Sequence, residues 1–398
     1  MISLHIKDFG PISDSGVLLL KPVVVFCGRQ GSGKSTIAKV ISTCSWIEKA
    51  LVRKEITIKS ITTNSFREKY CGYHYLTNFF KQTKTYIKYK GEAVTITYQN
   101  DGIIIEERSG DDYQMPQIMY IPAERNFMVA VEHAEKISHL PPSLTTLQQE
   151  FKKALNHSDY KIPIDGFSVH YDKLNKITWL MATDHQLRIH EVSSGLQSVI
   201  PMVVVSSFLS TQVESGASHT MSVEELDKLQ KEINNILENK KLDENIRKIL
   251  IENINKRYQN KSFLNIVEEP EQNLFPLSQK DVLHSLLAIF NKNRHNGLVM
   301  TTHSPYFINE LSIAIKADTI RQKVEGSHLE RKVYDIVPKS SCLSPDEFAI
   351  YEIQDDGTVS QLPLYDGIPS DENFLNGYLM DSNERFNQLL EIEDELEG

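Results

Sequence analysis

Residues 28–36 read Gly28-Arg29-Gln30-Gly31-Ser32-Gly33-Lys34-Ser35-Thr36 and fit the pattern G-x-x-x-x-G-K-[ST]. Upstream, Val23-Val24-Val25-Phe26 is apolar throughout, as a buried strand is, and Thr36–Ile47 opens like a helix. Strand, loop and helix in that order are the setting in which this pattern cradles phosphate. The glycines let the backbone curl until successive N–H groups face one cluster of oxygens, and the helix N-terminus adds positive potential. Lys34 is expected to reach the outer phosphates as a point charge. Ser35 is expected to offer its hydroxyl to a magnesium ion.

The 398-residue chain suits one large α/β domain with insertions, or two lobes. Hydrophobic residues make up 40% and charged residues 24%, ordinary values for a globular protein. No stretch approaches the roughly 18 consecutive apolar residues of a membrane span. The opening MISLHIKDFG lacks the basic-then-apolar layout of a signal peptide. Cys27, Cys44, Cys71 and Cys342 are scattered without a C-x-x-C pair, and the 13 histidines show no ligand spacing for a structural metal. Reduced thiols and a cytoplasmic location are the expectation. A net charge of −10 argues against general coating of nucleic acid, although a local basic face stays open. Lys81, Lys84, Lys88 and Lys90 alternate with Tyr86 and Tyr89, which reads as a solvated edge strand guarded by lysines.

Along the chain, Leu4, Ile6 and Phe9 mark a first strand, Gly10-Pro11 a turn and Val17–Leu20 a second strand. Residues 86–108 hold two or three β runs broken at Lys90-Gly91 and at Asn100-Asp101-Gly102, the latter a hairpin signal. Gln117–Pro122 is a further apolar strand, closed by proline and followed by Glu124-Arg125. Residues 128–165 read as mixed and helical, interrupted at Pro141-Pro142, and residues 166–191 as a β hairpin. Residues 193–210 have the pattern of an apolar helix. In 222–258, Val223, Leu226, Leu229, Ile233 and Ile236 recur at helical spacing, with a break near Lys240–Asp243 and a second amphipathic run through Ile249 and Ile254. This predicts a helical hairpin, since sustained heptads are lacking. Glu391–Glu397 reads as a frayed, solvent-facing acidic end.

Three more segments add chemistry. Phe263–Val267 is an apolar strand that delivers Glu268 and Glu269 to its C-terminal end, before Pro270 and Glu271. Such ends are where α/β sheets bind ligands. Glu268 is placed to hold magnesium, directly or through water. Glu269 is placed to orient the attacking water, a role worth on the order of 10²–10⁴ in rate. Leu298–Thr302 is another strand ending in His303-Ser304-Pro305, where His303 is positioned to bond a γ-phosphate. Ser193, Ser194 and Gly195 precede the apolar helix and supply an N-terminus that suits phosphate.

These four elements, at 28–36, 192–197, 263–271 and 298–305, together resemble the ABC-type ATPase head. The opening LHIKDFGPI, the strand IVEEPEQNLFP and the element TTHSPYFINEL resemble the RecF/SMC-like branch, which includes OLD-family ATPase domains and ATPase subunits of prokaryotic defence systems. The resemblance spans Leu4 to about Leu311 by motif, and more loosely reaches Tyr351-Glu352-Ile353. It implies an α/β fold: an ABC-ATPase head with a mixed sheet around the phosphate loop, an antiparallel β subdomain and a helical insertion lobe. As domains, it implies a single head over 1–398. Residues 1–125 and 260–398 would form the nucleotide-binding core, and 126–259 the signature-bearing lobe with its hairpin at 222–258. It further implies ATP and Mg2+ as cofactors and two heads that dimerise face to face on ATP. The nucleotide on one phosphate loop would be capped by Ser193, Ser194 and Gly195 of the other head, with Pro270–Leu274 crossing the interface.

The departures are specific. Glu268 stands where Asp is usual, Val192 where Leu is usual and Ser194 where Gly is frequent. The glutamine that normally leads to the γ-phosphate is replaced in position by Pro122–Asn126, with Glu124 and Arg125 as candidates or as a structural ion pair. The resemblance points to a regulatory ATPase subunit that dimerises, with higher assembly left open, and positions a separate effector such as a nuclease or toxin, away from membranes. A RecF-like DNA-repair clamp is the second reading. An OLD-like nuclease is the third: Val324–Glu330 superficially resembles a TOPRIM opening, but no D-x-D pair follows it. Asp355-Asp356-Gly357 reads as a hairpin turn.

Overall fold

In the computed structural model of the chain, residues 1–108, 113–131, 137, 139–216, 223–238 and 243–397 are described. Strand β1 (Ile2–Phe9) turns at Gly10-Pro11 into β2 (Ile12–Leu20), and β3 (Val23–Gly28) then enters the middle of the molecule. All six residues of β3 are buried, as a strand covered on both faces requires. Helix α1 (Lys34–Val52) follows the glycine loop, and a short α2 (Thr63–Ser65) precedes several tight helical turns. Next come β4 (Tyr86–Lys90), β5 (Val94–Gln99), β6 (Gly102–Glu107) and β7 (Pro116–Ile121). The β5–β6 turn holds Asn100 and Asp101 at φ 50° and 53°, the left-handed pair that a tight hairpin needs.

The second stretch contains α3 (Phe127–Ala130), α4 (Pro142–His157), β8 (Tyr160–Lys161), β9 (Ser168–Asp172), β10 (Ile177–Met181) and β11 (Gln186–Arg188). Then follow α5 (Ser194–Glu214), α6 (Val223–Glu238) and α7 (Glu244–Tyr258). Helices α6 and α7 lie side by side, bridged by Arg257 and Glu232 at 2.7 Å. Ser222 and most of the expected break at 240–243 lie outside the described residues, as do 132–136 and 138 of the mixed segment. The chain closes through β12 (Ser262–Glu268), α8 (Pro276–Phe290), β13 (Gly297–Thr302), α9 (Pro305–Val324), α10 (Leu329–Ile336), β14 (Phe348–Ile353), β15 (Val359–Gln361), the pair β16 (Leu364–Tyr365) and β17 (Ile368–Pro369), and α11 (Phe374–Glu397).

The core sheet runs β15-β14-β3-β13-β12-β7, parallel except for β15. Alternation along β3 divides the core. Val23, Val25 and Cys27 join the cluster of α5, α8 and α9, while Val24 and Phe26 join α1 and the antiparallel sheet. That second sheet runs β2-β1-β4-β5-β6, and a four-stranded sheet of order β11-β10-β9-β8 sits in the stretch between α4 and α5.

Three expectations change. Strand β4 is third of five, not an edge: Ile87 and Tyr89 are buried between β1 and β5, and Lys88 and Lys90 point outward because the pleat has period two. The C-terminal segment is solvent-facing but helical to Glu397, with Asp381 and Arg385 paired at 3.0 Å one turn apart. Helix α5, with 21 residues, is long and apolar enough to cross a membrane, yet most of it is buried in the core, including Val199, Ile200, Val203 and Leu209. Val324–Glu330 is the turn between α9 and α10, where Glu330 accepts from Gly326 N at 3.0 Å and from the Tyr334 hydroxyl at 3.1 Å. The turn at Asp355-Asp356-Gly357 does join β14 to β15, with Gly357 at φ 79°.

Candidate active site

Parallel registry brings the three sequence-predicted strand ends together. Cys27 of β3 is opposite Thr302 of β13, and Thr301 is opposite Glu268 of β12. The glycine loop, His303 and the two glutamates therefore share one edge of the sheet, at the strands' C-terminal ends. The loop needs its glycines. Gly28 has φ 142° and Gly33 φ 110°, and a Cβ on Gly33 would lie 2.6 Å from Ile12 Cδ1.

Lys34 is buried and folds back on the loop, donating to the Gly28 carbonyl at 2.9 Å and the Arg29 carbonyl at 2.7 Å. Burial lowers its pKa to about 8. Nζ also lies 3.3 Å from His303 Nδ1, and His303 Nε2 lies 3.1 Å from Glu269 Oε1. An ammonium has no lone pair, so Nδ1 accepts, and Nε2 carries the proton that it donates to Glu269. That hydrogen bond from His303 is the main reason Glu269 sits below the usual carboxylate range. Glu269 itself has φ 42°, a strained value outside glycine, and its N–H bonds the Thr301 carbonyl at 3.0 Å.

Glu268 is buried. Its Oε1 accepts from the Tyr120 hydroxyl and its Oε2 from Ala123 N at 3.1 Å. Each oxygen keeps a lone pair that a metal, or a metal's water, could use. Ser35 is half-buried at the start of α1. Among the described residues no cluster of three His, Cys, Asp or Glu forms a protein-only metal cage. One carboxylate and one hydroxyl beside phosphates are the donor set that suits magnesium. The loop also fits a phosphate: Ser32 Oγ is buried there without a hydrogen-bond partner. Arg29 is exposed and pairs with Asp355 at 3.0 Å; Gln30 and Gly31 are exposed, and Thr36 is buried.

The signature segment lies at the start of α5. Ser193 and Ser194 are exposed and Gly195 is buried. Among the described residues, neither serine makes a hydrogen bond to the phosphate loop. Gly195 packs under the loop that follows Glu269: a Cβ there would lie 2.7 Å from the Asn273 carbonyl. Arg125 is not free for a phosphate and makes no ion pair with Glu124 among the described residues. It is fully buried and its donors go to carbonyl groups, while Glu124 is exposed. Burial lowers its pKa to about 10.

Sequence reading assigned no role to Tyr120 or Glu271. Glu271 is buried, and its Oε1 accepts from Thr302 Oγ1 and from His303 N, both at 2.7 Å. Burial raises its pKa. A third acid in Glu268-Glu269-Pro270-Glu271 was the available signal. Tyr120 carried none, because its partner is about 150 residues away in sequence. The four cysteines are buried and free.

The AAA ATPase domain family matches residues 122–308, just under half the chain, from the Pro122 turn through His303. No curated protein matches the sequence. Among solved structures, an SMC head domain from Thermotoga maritima aligns at 9% identity over 91% of this chain and 98% of its own, with a TM-score of 0.40. The recombination mediator protein RecF aligns at 10% identity over 91% and 97%, with a TM-score of 0.31. A nucleotide-free ATP-binding cassette from an ABC transporter aligns at 11% over 92% and 93%, with a TM-score of 0.30. The matched stretch supplies the acidic strand end, His303 and the helix that Ser193–Gly195 open, and the phosphate loop lies beside them in the same sheet: the chain is similar to the AAA ATPase domain family over residues 122–308, and its site is that of an ATP hydrolase.

Proposed function

We propose that this ATPase dimerises head to head on ATP and uses that cycle to hold or release a separate effector protein, a nuclease or toxin, in a prokaryotic anti-phage defence system. The chain Lys34–His303–Glu269 carries the nucleotide half of this reading, because it links the phosphate-binding cation to the carboxylate through one histidine. Lys34 exchanges the carbonyls of Gly28 and Arg29 for phosphate oxygens, and the loop amides and the Ser32 hydroxyl receive the rest. Ser35 and Glu268 hold magnesium, which when bound neutralises charge on the transferring phosphoryl group. Glu269, kept ionised by His303, orients water for in-line attack, and His303, protonated on Nδ1 once Lys34 has left that nitrogen, donates from it to the γ-phosphate. Ser193, Ser194 and Gly195 of one protomer cap the nucleotide of its partner.

The exposure of Ser193 and Ser194 at a helix N-terminus supports that last step, since such an end favours phosphate. The effector reading rests on the resemblance to ATPase subunits of defence systems. Light scattering of Glu269→Gln with ATP and magnesium tests the cycle: a dimer that does not turn over is expected, and hydrolysis near the wild-type rate would reject Glu269 as the base. Capture of that trapped form from its host tests the output. A stoichiometric nuclease or toxin supports the effector role, whereas nucleic acid without a protein partner favours a RecF-like repair clamp.

A further inference from the structure

Arg125 is 0% exposed, and its guanidinium gathers four backbone carbonyls from three distant parts of the chain. Nε donates to Ser198 at 2.9 Å, Nη1 to Glu268 at 2.6 Å and to Pro122 at 3.3 Å, and Nη2 to Glu269 at 2.7 Å. Ser198 lies on the second turn of α5, one turn past the exposed serines at the start of that helix. Glu268 and Glu269 end β12. The short turn that carries Arg125 also donates Ala123 N to the Glu268 carboxylate. One rigid planar cation thus spans the signature helix and the backbone of both strand-end glutamates.

Buried carbonyls this close to a guanidinium are costly to separate from it. A shift of α5 must therefore move Arg125, or break a charge-assisted bond. What Arg125 grips at the other end is a residue with little conformational slack. Glu269 sits at φ 42°, a geometry held by its surroundings and not by its own preference. Its N–H is tied to Thr301 and its carbonyl to Arg125, so a rotation of that peptide swings the carboxylate relative to His303.

We propose that Arg125 is a positioning residue that couples a protomer's signature to its own Glu269. When Ser193–Gly195 cap the partner's nucleotide, α5 settles and Arg125 sets the Glu269 backbone for attack. Each protomer then hydrolyses its ATP only while it is capping the other's, and the two sites fire together. This rests on the head-to-head dimer proposed above.

The test is Arg125→Lys, which keeps a cation but loses the fork. Dimer formation with the slowly hydrolysed analogue ATPγS, ADP affinity and KM should stay near wild type, while kcat falls about 10- to 100-fold through misplacement of the carboxylate. A merely structural role would lower ADP affinity and dimer yield along with the rate, and that result, or an unchanged kcat in a normal dimer, overturns the coupling. Absence of an ATPγS dimer in the wild type overturns the head-to-head reading as well, so the two failures are distinguishable. If Arg125→Lys does not fold, amide hydrogen exchange across residues 123–126 decides. Exchange should slow in the ATPγS-bound wild type and not in ATPγS-bound Ser193→Arg, whose signature cannot dock; equal exchange in the two overturns the proposal.

Discussion

Lys34 spends its charge on two loop carbonyls and a histidine ring, all of which it must give up to meet a phosphate. The exchange is favourable because an ammonium bonds an anionic oxygen more strongly than a neutral carbonyl. Lys34→Ala is expected to weaken ADP and ATP binding by about 100-fold, the worth of one or two charge-assisted bonds; calorimetric titration reads this directly. His74 illustrates the opposite case, a buried group that must stay neutral. It lies 3.1 Å from Ser42 Oγ and against the Tyr120 ring, and burial pushes its pKa from 6.5 down to about 3. Below pH 6.5 the unfolded chain takes up a proton that the folded chain refuses. Stability should therefore fall as pH drops from 6.5 towards 3, by at most about 1.4 kcal/mol per unit from this residue. Urea unfolding at pH 7 and pH 5 should show that slope, and His74→Gln should flatten it.

At the scale of elements, each piece of the site is a strand end or a helix start, and their relative placement depends on close backbone approach. Gly195 is the tightest example. Its missing side chain lets the signature helix lie against Asn273 and Leu274, in the loop that follows Glu269. Gly195→Ala should overpack that junction at a cost of about 1–3 kcal/mol. ADP affinity should be unchanged, because the phosphate loop is built from other elements, and ATPγS-driven dimerisation should weaken. Gel filtration with and without the analogue separates these effects; a normal dimer would mean the junction tolerates the shift. Glu271 acts at the same scale, joining the loop after β12 to the end of β13 through Thr302 and the His303 amide.

Across the whole molecule, two apolar clusters share the core sheet, one on each face. Strand β12 serves both, with Phe263 and Val267 on one side and Ile266 on the other. The clusters should therefore unfold together. Phe263→Ala, at a fully buried position, is expected to cost about 3–5 kcal/mol. Chemical denaturation followed by circular dichroism and by tryptophan fluorescence checks this, since Trp46 lies on α1 and Trp179 on β10. One coincident transition, moved to lower denaturant in the variant, is expected, and two separated transitions would show the faces to be independent.

By itself, the sequence determined whatever is contiguous in the chain. The phosphate loop between a buried strand and a helix, the glutamate pair at a strand end, His303 after Thr302 and the β5–β6 hairpin are all local patterns. Their chemistry depends on φ, on side-chain period and on neighbours a few residues apart, which a linear reading captures. Only the tertiary structure decided what those residues bond to. Tyr120 on Glu268, Glu271 under His303 and Gly195 beneath Asn273 pair groups from separate segments. Arg125 shows the reason most plainly. From sequence its charge pointed to a phosphate or a carboxylate, but full burial among backbone carbonyls gave those oxygens the stronger claim on its donors. Which strand lies beside which, and so which polar groups must satisfy one another away from water, is settled by packing the whole chain.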